Sequence, residues 1–222
     1  MGVLEMKGVS YTYDNKRSVL KNISTVFEAG KIYTILGPSG CGKTTLLSLL
    51  GGLDSPSGGQ ILYQGEDIAK AGLAEHRRGH VAFIFQSYNL IDYLTPMENV
   101  ALTSKLPPLP ILEQLGLTPE EAKRNVLKLS GGQQQRVAIA RALASDAQVI
   151  LADEPTGNLD EDTAAEITNI LKECAHKSGK CVVVVTHSNE LAKAADVVLK
   201  LRKCELQILD TADTNIGKGR KD

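Results

Sequence analysis

The features that would direct this chain to a membrane or to nucleic acid are missing from the sequence. No apolar stretch approaches the ~18 residues that a membrane-spanning helix requires, and residues 1–7 lack the apolar core of a secretion signal. Lysine and arginine total 25 against 26 aspartates and glutamates, so no net positive charge attracts nucleic acid or anionic lipid. We therefore expect a cytoplasmic protein that neither inserts into a membrane nor binds nucleic acid.

Tryptophan is absent, and the 4 cysteines lack the spacing of metal ligands. We interpret the cysteines as reduced thiols, and two of them, Cys174 and Cys181, lie in apolar patterns that predict core positions. Glycine, by contrast, is frequent at 20 of 222 residues, which is typical of an α/β protein with tight turns between strands and helices. A chain of this length predicts one domain, or one domain with a subdomain.

A glycine-rich loop that begins at residue 37 fits the pattern G-x-x-x-x-G-K-[ST]. It follows the apolar run Ile32–Leu36 and leads into the helix-like run Leu46–Leu50. The glycines of such a loop let the backbone approach a phosphate chain, and N–H groups at the helix N-terminus point at it. Lys43 is expected to reach the terminal phosphates and Thr44 to bind Mg²⁺. The residues predicted to contact the nucleotide here are Gly37, Pro38, Ser39, Gly40, Cys41, Gly42, Lys43, Thr44 and Thr45.

A second apolar run, Val149–Ala152, ends in two adjacent carboxylates, Asp153 and Glu154. Transfer of a γ-phosphoryl group to water needs a carboxylate for the metal ion and a group that orients the water. We assign Asp153 to the Mg²⁺ site and Glu154 to the attacking water. Acidic pairs are common on protein surfaces, but this pair follows an apolar strand in a chain with a phosphate-binding loop. Hydrolysis of a nucleoside triphosphate is the favoured interpretation.

The patterns divide the chain into structural parts. Residues 4–27 alternate in strand fashion around a polar turn, which predicts antiparallel strands before the phosphate-loop strand. From about residue 87 to 136 strand patterns disappear, and Thr95 with Glu98 forms the start signal of a helix. We interpret that segment as a helical subdomain. The domain is expected to occupy residues 1–210, followed by a polar tail at 211–222.

The remaining motifs resemble those of the ATP-binding-cassette (ABC) ATPases. Residues 129–133 read LSGGQ, the signature sequence of that family, about twenty residues ahead of the Asp-Glu strand. Gln86 resembles the glutamine of the family's Q-loop, residues 158–160 its D-loop, and His187 its switch histidine. The resemblance covers residues 3–208. It implies an α/β fold: a P-loop NTPase (RecA-like) core with an N-terminal antiparallel β subdomain and a short α-helical insertion that carries the signature motif.

The resemblance also implies ATP and Mg²⁺ as cofactors and roles for residues outside the phosphate-binding loop. Gln86 would join Thr44 and Asp153 at the metal. Tyr13 matches the aromatic residue that stacks on adenine, with Tyr11 as the alternative. The resemblance assigns catalysis to Glu154 and His187, and nucleotide contact to Gln86, Ser130, Gly131, Gly132, Gln133 and Asp160.

Members of this family act as head-to-tail dimers with two ATP molecules between the chains. Each phosphate-binding loop faces the signature motif of the other chain, where the helix after the signature offers a second N-terminal anion site. The resemblance therefore implies an ATPase that forms homodimers and lies peripherally on the cytoplasmic face of the membrane. There it would drive separate integral-membrane permease subunits.

Within the family, residues 85–91, 98–100 and 154–160 resemble one subgroup. It contains the macrolide exporter, the lipoprotein-release ATPase, the cell-division ATPase and the antimicrobial-peptide resistance exporters. Residues 90–94 are most similar to the peptide-resistance branch, so antimicrobial-peptide export or resistance is one expectation. The alternatives are an ATPase that regulates extracytoplasmic cell-wall enzymes through a membrane partner, and a soluble ABC ATPase.

Two segments depart from the family pattern. The insertion before the signature is shorter than usual and carries a proline cluster at Pro107–Pro110, where family members have more helix. The last hairpin turns through Arg202–Glu205 instead of an Asp-Gly pair, which leaves its turn type open.

Overall fold

The structure is a computed structural model that describes residues 2–13, 17–157 and 159–209. Asn158 of the predicted D-loop and the expected tail at 211–222 lie outside the described residues. The strands are β1 Gly2–Tyr13, β2 Arg17–Glu28, β3 Ile32–Leu36, β4 Gly58–Tyr63, β5 Glu66–Asp67, β6 Val81–Ile84, β7 Val149–Asp153, β8 Cys181–Thr186, β9 Val197–Arg202 and β10 Glu205–Leu209. The α-helices are α1 Lys43–Leu50, α2 Ile68–Ala71, α3 Leu73–Gly79, α4 Pro96–Ala101, α5 Pro108–Gln114, α6 Pro119–Lys123, α7 Gly131–Leu143, α8 Glu161–His176 and α9 Asn189–Ala194.

The strands form an antiparallel sheet and a mainly parallel one. The first has the order β2-β1-β4-β5, and β1 pairs antiparallel with both β2 and β4. The second has the order β10-β9-β3-β8-β7-β6, and its strands pair parallel except at the β9–β10 hairpin. The antiparallel strands predicted ahead of the phosphate-loop strand are confirmed, as is the interior position of β8.

The parallel register brings the ends of three neighbouring strands to one edge of the second sheet. Leu36 at the end of β3 lies opposite Thr186 at the end of β8, and Asp153 at the end of β7 lies opposite Val185. The segments that follow β3, β7 and β8 therefore begin side by side. Ligands of open α/β sheets bind at such carboxyl ends.

Both faces of the parallel sheet are covered, which explains the uninterrupted apolar runs of its inner strands. Val183 and Val185 of β8 face the core shared with α1 and the antiparallel sheet, whereas Val182 and Val184 face the core shared with α7 and α8. The predicted burial of Cys174 and Cys181 is confirmed. Burial raises the pKa of Cys174 to about 11 and that of Cys181 to about 12.

Prolines begin the short helices of the 87–136 segment. Pro96, Pro108 and Pro119 are the first residues of α4, α5 and α6. Proline is tolerated there because the first N–H groups of a helix have no intrahelical acceptor. The predicted break at Pro107–Pro110 is therefore a helix start, and helix α7, which begins within the signature at Gly131, continues past residue 136 to Leu143. Within the described ranges, no helix combines the length and apolar character that a bilayer span requires.

The β9–β10 hairpin has a two-residue turn, Lys203–Cys204, between Arg202 and Glu205. Both turn residues have positive φ, 50° and 67°, as a type I′ turn requires. The carbonyl of Cys204 accepts a hydrogen bond from the backbone N–H of Lys21 (2.8 Å), which ties the turn to β2.

Candidate nucleotide-binding site

A cavity of about 390 Å³ opens where β3 and β7 end. It is lined by Tyr13, Val19, Ser39, Gly40, Gly42, Lys43, Thr44, Thr45, Gln86, Asp153 and Glu154. The structure thus brings together most of the residues that the sequence assigns to nucleotide and metal. The predicted site residues that do not line this cavity, within the described part of the chain, are Gly37, Pro38, Cys41, Ser130, Gly131, Gly132, Gln133, Asp160 and His187.

At two positions of the loop between β3 and α1, any side chain would collide with neighbouring atoms, so glycine is required there. A Cβ on Gly37 would lie 2.6 Å from both the Leu201 carbonyl oxygen and the Cys41 Sγ. Gly42 precedes α1 with a φ of 106°, and a Cβ there would lie 2.6 Å from Val19 Cγ1. The Cys41 side chain lines a neighbouring cavity of about 140 Å³. The loop is thus packed tightly on its inner side and open on the side of the larger cavity.

Lys43 bridges this loop through its ammonium group. Its Nζ donates hydrogen bonds to the carbonyl oxygens of Gly37 (2.8 Å) and Pro38 (3.3 Å). An ammonium group can exchange these acceptors for phosphate oxygens by rotating its flexible stem. The lysine is therefore already located at the phosphate-binding loop, on the wall of the cavity.

Three oxygen-bearing side chains of the same cavity, Thr44, Asp153 and Gln86, fit a magnesium ion. The Thr44 hydroxyl hydrogen-bonds to the Asp153 carboxylate. Burial raises the pKa of Asp153, and the charge of Glu154 adds to this effect, while Thr44 and Lys43 oppose it. Mg²⁺ prefers such oxygen ligands and completes its shell with substrate phosphates and water. A bound cation would also stabilise the ionised form of this buried carboxylate.

Glu154 follows β7 in a left-handed backbone conformation, with a φ of 46°. Its Oε1 lies 2.9 Å from Nδ1 of His187, and its Oε2 accepts hydrogen bonds from the Thr186 hydroxyl (2.8 Å) and the His187 backbone N–H (3.3 Å). The Glu154 side chain is 12% exposed and that of His187 is 73% exposed. The structure thus brings the two predicted catalytic residues into contact, with the carboxylate on the cavity wall and the imidazole at the surface.

Tyr13, not Tyr11, presents its ring to the cavity. Tyr13 is 49% exposed, and its hydroxyl lies 3.1 Å from Thr45 Oγ1. Tyr11 is buried, hydrogen-bonds to Asp54 and packs edge-on against Tyr13, with ring centroids 5.0 Å apart. An exposed ring beside the phosphate-binding loop suits stacking on a base, which favours Tyr13 over its neighbour.

The signature residues form the N-terminus of α7. Ser130 Oγ accepts the Gln133 N–H (3.3 Å), and the Gln133 side chain accepts the Ser130 N–H (2.9 Å), which together make a capping box. Gln133 also donates to Glu121 of α6 (2.7 Å). These contacts fix the start of a 13-residue helix, whose first N–H groups at Gly131 and Gly132 can bind an anion.

Asp160 has a structural partner in its own chain. It caps α8 by accepting hydrogen bonds from the backbone N–H (3.0 Å) and the hydroxyl (2.9 Å) of Thr163, and these bonds lower its pKa. A Cβ on Gly132 would lie 3.2 Å from Thr163 Cγ2. The start of α8, which Asp160 caps, therefore packs beside the start of α7, and neither Asp160 nor the signature residues 130–133 line the cavity.

Three residues that line or support the site belong to none of the sequence motifs. Thr186 donates to Glu154, and Val19 lines the cavity beside Gly42. Arg141 of α7 anchors the segment after Gln86 by donating to the carbonyls of residues 88 and 89 (3.1 and 2.7 Å). A hydroxyl next to the switch histidine is a signal for the first of these. The other two depend on tertiary packing that no local pattern reveals.

The fold and this cavity define a P-loop nucleoside triphosphatase. A family model described as "ABC transporter" matches residues 20–157, more than half of the chain. The chain therefore belongs to the ABC transporter ATP-binding family, as its signature motif predicts.

The chain is also similar in sequence to individual members of that family. It is 45% identical to the uncharacterised ABC transporter ATP-binding protein YclH of Bacillus subtilis, over 91% of this chain and 95% of the relative. It is 41% identical to the macrolide export ATP-binding/permease protein MacB 2 of Aeromonas hydrophila, over 92% of this chain but 34% of that longer relative.

Among solved structures, the chain is similar to the dimeric, post-hydrolysis state of the ATP-binding cassette MJ0796 of Methanocaldococcus jannaschii bound to ADP and Pi. The TM-score is 0.82 with 35% identity, over 93% of this chain and 99% of the other. The predicted α/β fold, with its antiparallel β subdomain, is confirmed. The chain is an ATPase and the ATP-binding subunit of an ABC transporter.

Proposed function

We propose that the chain dimerises on ATP and drives a separate membrane subunit of a bacterial ABC transporter or mechanotransmission complex from the cytoplasmic face of the membrane. The observation that carries this proposal is the incomplete cavity. Within the described residues, one side of it holds the phosphate-binding loop, Asp153 and Glu154, but residues 130–133 of the signature do not line it. A second copy in head-to-tail orientation supplies the missing helix N-terminus, and two identical sites result.

In this proposal the residues of the cavity have distinct roles. Lys43 and the N–H groups at the start of α1 bind the β- and γ-phosphates. Thr44, Asp153 and Gln86 would hold Mg²⁺, and the bound ion would supply positive charge beside the phosphates. The Glu154 carboxylate orients the attacking water and accepts its proton.

His187 stays with Glu154 until nucleotide binds, and Tyr13 stacks on the adenine. The signature residues of the partner copy, Ser130 to Gln133, contact the γ-phosphate from the opposite side. Because hydrolysis removes the γ-phosphate that joins the two copies, the dimer opens, and this opening moves the membrane subunit.

An exposed apolar pair supports a membrane subunit as the partner. Tyr93 is 81% exposed and Leu127 is 60% exposed. The segments that carry them are joined by a hydrogen bond from the Asn125 side chain to the Asp92 carbonyl (2.9 Å). A protein surface enriched in exposed aromatic and aliphatic side chains favours docking of another chain. The MacB-type relative joins ATP-binding and permease functions in one longer protein, and we propose that here a separate permease docks at this pair.

For the biological process that this ATPase serves, we propose antimicrobial-peptide export or resistance. It is supported by the similarity of residues 90–94 to the peptide-resistance branch. Deletion of the gene should raise the sensitivity of the source bacterium to cationic antimicrobial peptides, and the wild-type gene, but not a Glu154→Gln allele, should restore resistance. Unchanged peptide sensitivity with altered cell-wall hydrolysis would instead support regulation of cell-wall enzymes.

The central experiment replaces Glu154 by glutamine. Glu154→Gln should keep ATP affinity and lower turnover by about 10²–10⁴-fold, the usual effect of losing a positioned base. The variant should accumulate as an ATP-bound dimer in size-exclusion chromatography. Glu190→Gln, at an exposed position of α9, is the matched control and should behave as wild type. Hydrolysis by Glu154→Gln at the wild-type rate would contradict the assignment of the base.

A further inference from the structure

Thr186 places a buried hydroxyl directly behind the proposed base. It is the last residue of β8, is 1% exposed, and lies opposite Leu36, which precedes the phosphate-binding loop. Its Oγ1 lies 2.8 Å from Glu154 Oε2 and 3.0 Å from the backbone nitrogen of Ser188. The hydroxyl therefore connects the end of one strand to the carboxylate at the end of the next.

The direction of these hydrogen bonds follows from the groups involved. The Ser188 N–H can only donate, so the Thr186 oxygen accepts from it. A threonine hydroxyl has a single proton to donate, and an ionised carboxylate can only accept. The Thr186 proton is therefore committed to Oε2 of Glu154. Ser188 is itself held as the N-cap of α9, so the hydroxyl is fixed from both sides.

The two carboxylate oxygens of Glu154 consequently have different partners. Oε2 is held by the buried Thr186 hydroxyl and by a backbone N–H. Oε1 contacts only the His187 ring among the described residues, and that ring is largely exposed. A surface imidazole can rotate away at little cost, whereas a buried hydroxyl at a strand end cannot. One oxygen is thus held by a buried hydroxyl, and the other contacts a side chain at the surface.

We propose that Thr186 is a positioning residue for ATP hydrolysis, which anchors Glu154 through Oε2 so that Oε1 faces the attacking water. The anchor also restricts the carboxylate to one rotamer in the strained backbone conformation of Glu154. Orientation of this kind is a large part of catalysis, because a misplaced group loses its aligned approach to the reacting atoms. This inference rests on the proposed role of Glu154 as the base.

The test compares Thr186→Val, which keeps the shape and removes the hydroxyl, with Thr186→Ser, which keeps the hydroxyl. Thr186→Val should lower kcat by about 10–100-fold with little change in the KM for ATP, because the carboxylate is disordered but the nucleotide contacts remain. Thr186→Ser should stay close to wild type. The slow Thr186→Val variant should also accumulate as an ATP-bound dimer.

Several outcomes would overturn the inference. One is an unchanged kcat in Thr186→Val, and another is an equal loss in Thr186→Ser, which would show that retaining the hydroxyl does not preserve activity. A parallel loss of ATP affinity in Thr186→Val would indicate general disruption of the site.

The double variant with Glu154→Gln separates this inference from the proposed function. In the proposal Thr186 acts through Glu154, so adding Thr186→Val to Glu154→Gln should not lower the residual turnover further. If Thr186→Val instead damaged the site independently of Glu154, the double variant would be slower than Glu154→Gln alone. If Glu154→Gln is as active as wild type, the proposed function fails. If Glu154→Gln is inactive and Thr186→Val is fully active, only the role of Thr186 fails.

Discussion

The polar side chains of this site make hydrogen bonds to other groups of the protein. Lys43 donates to loop carbonyls and His187 contacts Glu154, so in the proposed mode of ATP binding both side chains would exchange these partners. For Lys43, the proposed exchange replaces two neutral carbonyl acceptors with ionised phosphate oxygens, to which an ammonium group bonds more strongly. Tyr13 makes its contact with Thr45 at the rim of the same cavity. Substitution of each of these side chains therefore tests a separate part of the proposed nucleotide contact.

Replacement of Tyr13 by alanine should weaken ATP binding by about 1–3 kcal/mol, the usual contribution of stacking between a base and an aromatic ring. GTP should weaken comparably, since every base offers a π-face. Isothermal titration calorimetry measures both affinities. Tyr11→Phe, which keeps the buried ring, is the control and should bind normally. If Tyr11→Ala weakens ATP and Tyr13→Ala does not, the stacking residue has been misassigned.

Cys41 should react with maleimides faster than Cys174 or Cys181. Burial raises the pKa values of the latter two to about 11 and about 12, which removes the reactive thiolate near neutral pH. Cys41 is only partly buried, and a bulky adduct has no room against Gly37. Modification should therefore distort the loop and inhibit hydrolysis.

Mass spectrometry of each labelled cysteine, combined with ATPase assays, provides the measurement for this comparison. Cys41→Ser should remain active and become resistant to the reagent. Inhibition that persists in Cys41→Ser would show that another thiol is responsible.

At the scale of elements, the sequence predicts those strands and helices whose formation depends on neighbouring residues in the chain. The strands next to the phosphate-binding loop and the Asp-Glu pair are apolar runs bounded by glycine or acidic residues. Their existence follows from the local sequence, and the cavity at their ends follows from parallel pairing. The contact between Thr186 and Glu154 joins residues 32 positions apart and depends on which strands are neighbours, which no local pattern specifies. The sequence predicts a break at the prolines of α5, because a proline after one helix and a proline at the start of the next helix give the same local pattern.

The turn between β9 and β10 uses residues that are poorly suited to its geometry. Lys203 and Cys204 both adopt positive φ, which costs a residue with a side chain about 1–2 kcal/mol relative to glycine. Cys204→Gly should therefore raise the free energy of unfolding by about 0.5–1 kcal/mol, after the entropy of the more flexible unfolded chain is subtracted. Urea denaturation should show a higher midpoint with an unchanged m-value. Arg202→Gly, within β9, is the control and should destabilise. Cys204→Gly also removes the hydrogen bond from its Sγ to the Ser18 carbonyl (3.3 Å), so Lys203→Gly is the second test, and a loss of stability in Lys203→Gly would contradict the cost assigned to positive φ.

At the scale of the whole molecule, the two groups of residues assigned to ATP lie in separate places. The phosphate-binding loop with Glu154 lines one cavity, while Ser130 starts α7 next to α8. Within the described residues of one copy, the signature does not line the cavity of the phosphate-binding loop. The matched solved structure is dimeric and holds the products of hydrolysis, which agrees with a site completed by a second copy. The proposed head-to-tail dimer therefore makes a quantitative prediction for mixtures of variants.

Lys43→Ala removes the charge of the phosphate-binding loop, and Ser130→Asp adds a negative charge to the signature. Aspartate is an effective N-cap, so the second variant should keep α7 intact while it repels the γ-phosphate. Each variant alone should be nearly inactive. In a mixed head-to-tail dimer both defects fall in one site and the other site is complete. Random pairing makes about half of the dimers mixed, so an equimolar mixture should recover up to about a quarter of wild-type activity.

Ser130→Asn keeps the cap without the charge and serves as the control, which should retain more activity than Ser130→Asp. The ATPase rate of the mixture is measured against the sum of the separate rates at equal total protein. If the two sites were each built from one chain, every copy in the mixture would carry a defective site. A mixture no more active than that sum would therefore contradict the head-to-tail dimer, because only exchange of the signature between copies can create an undamaged site from two damaged chains.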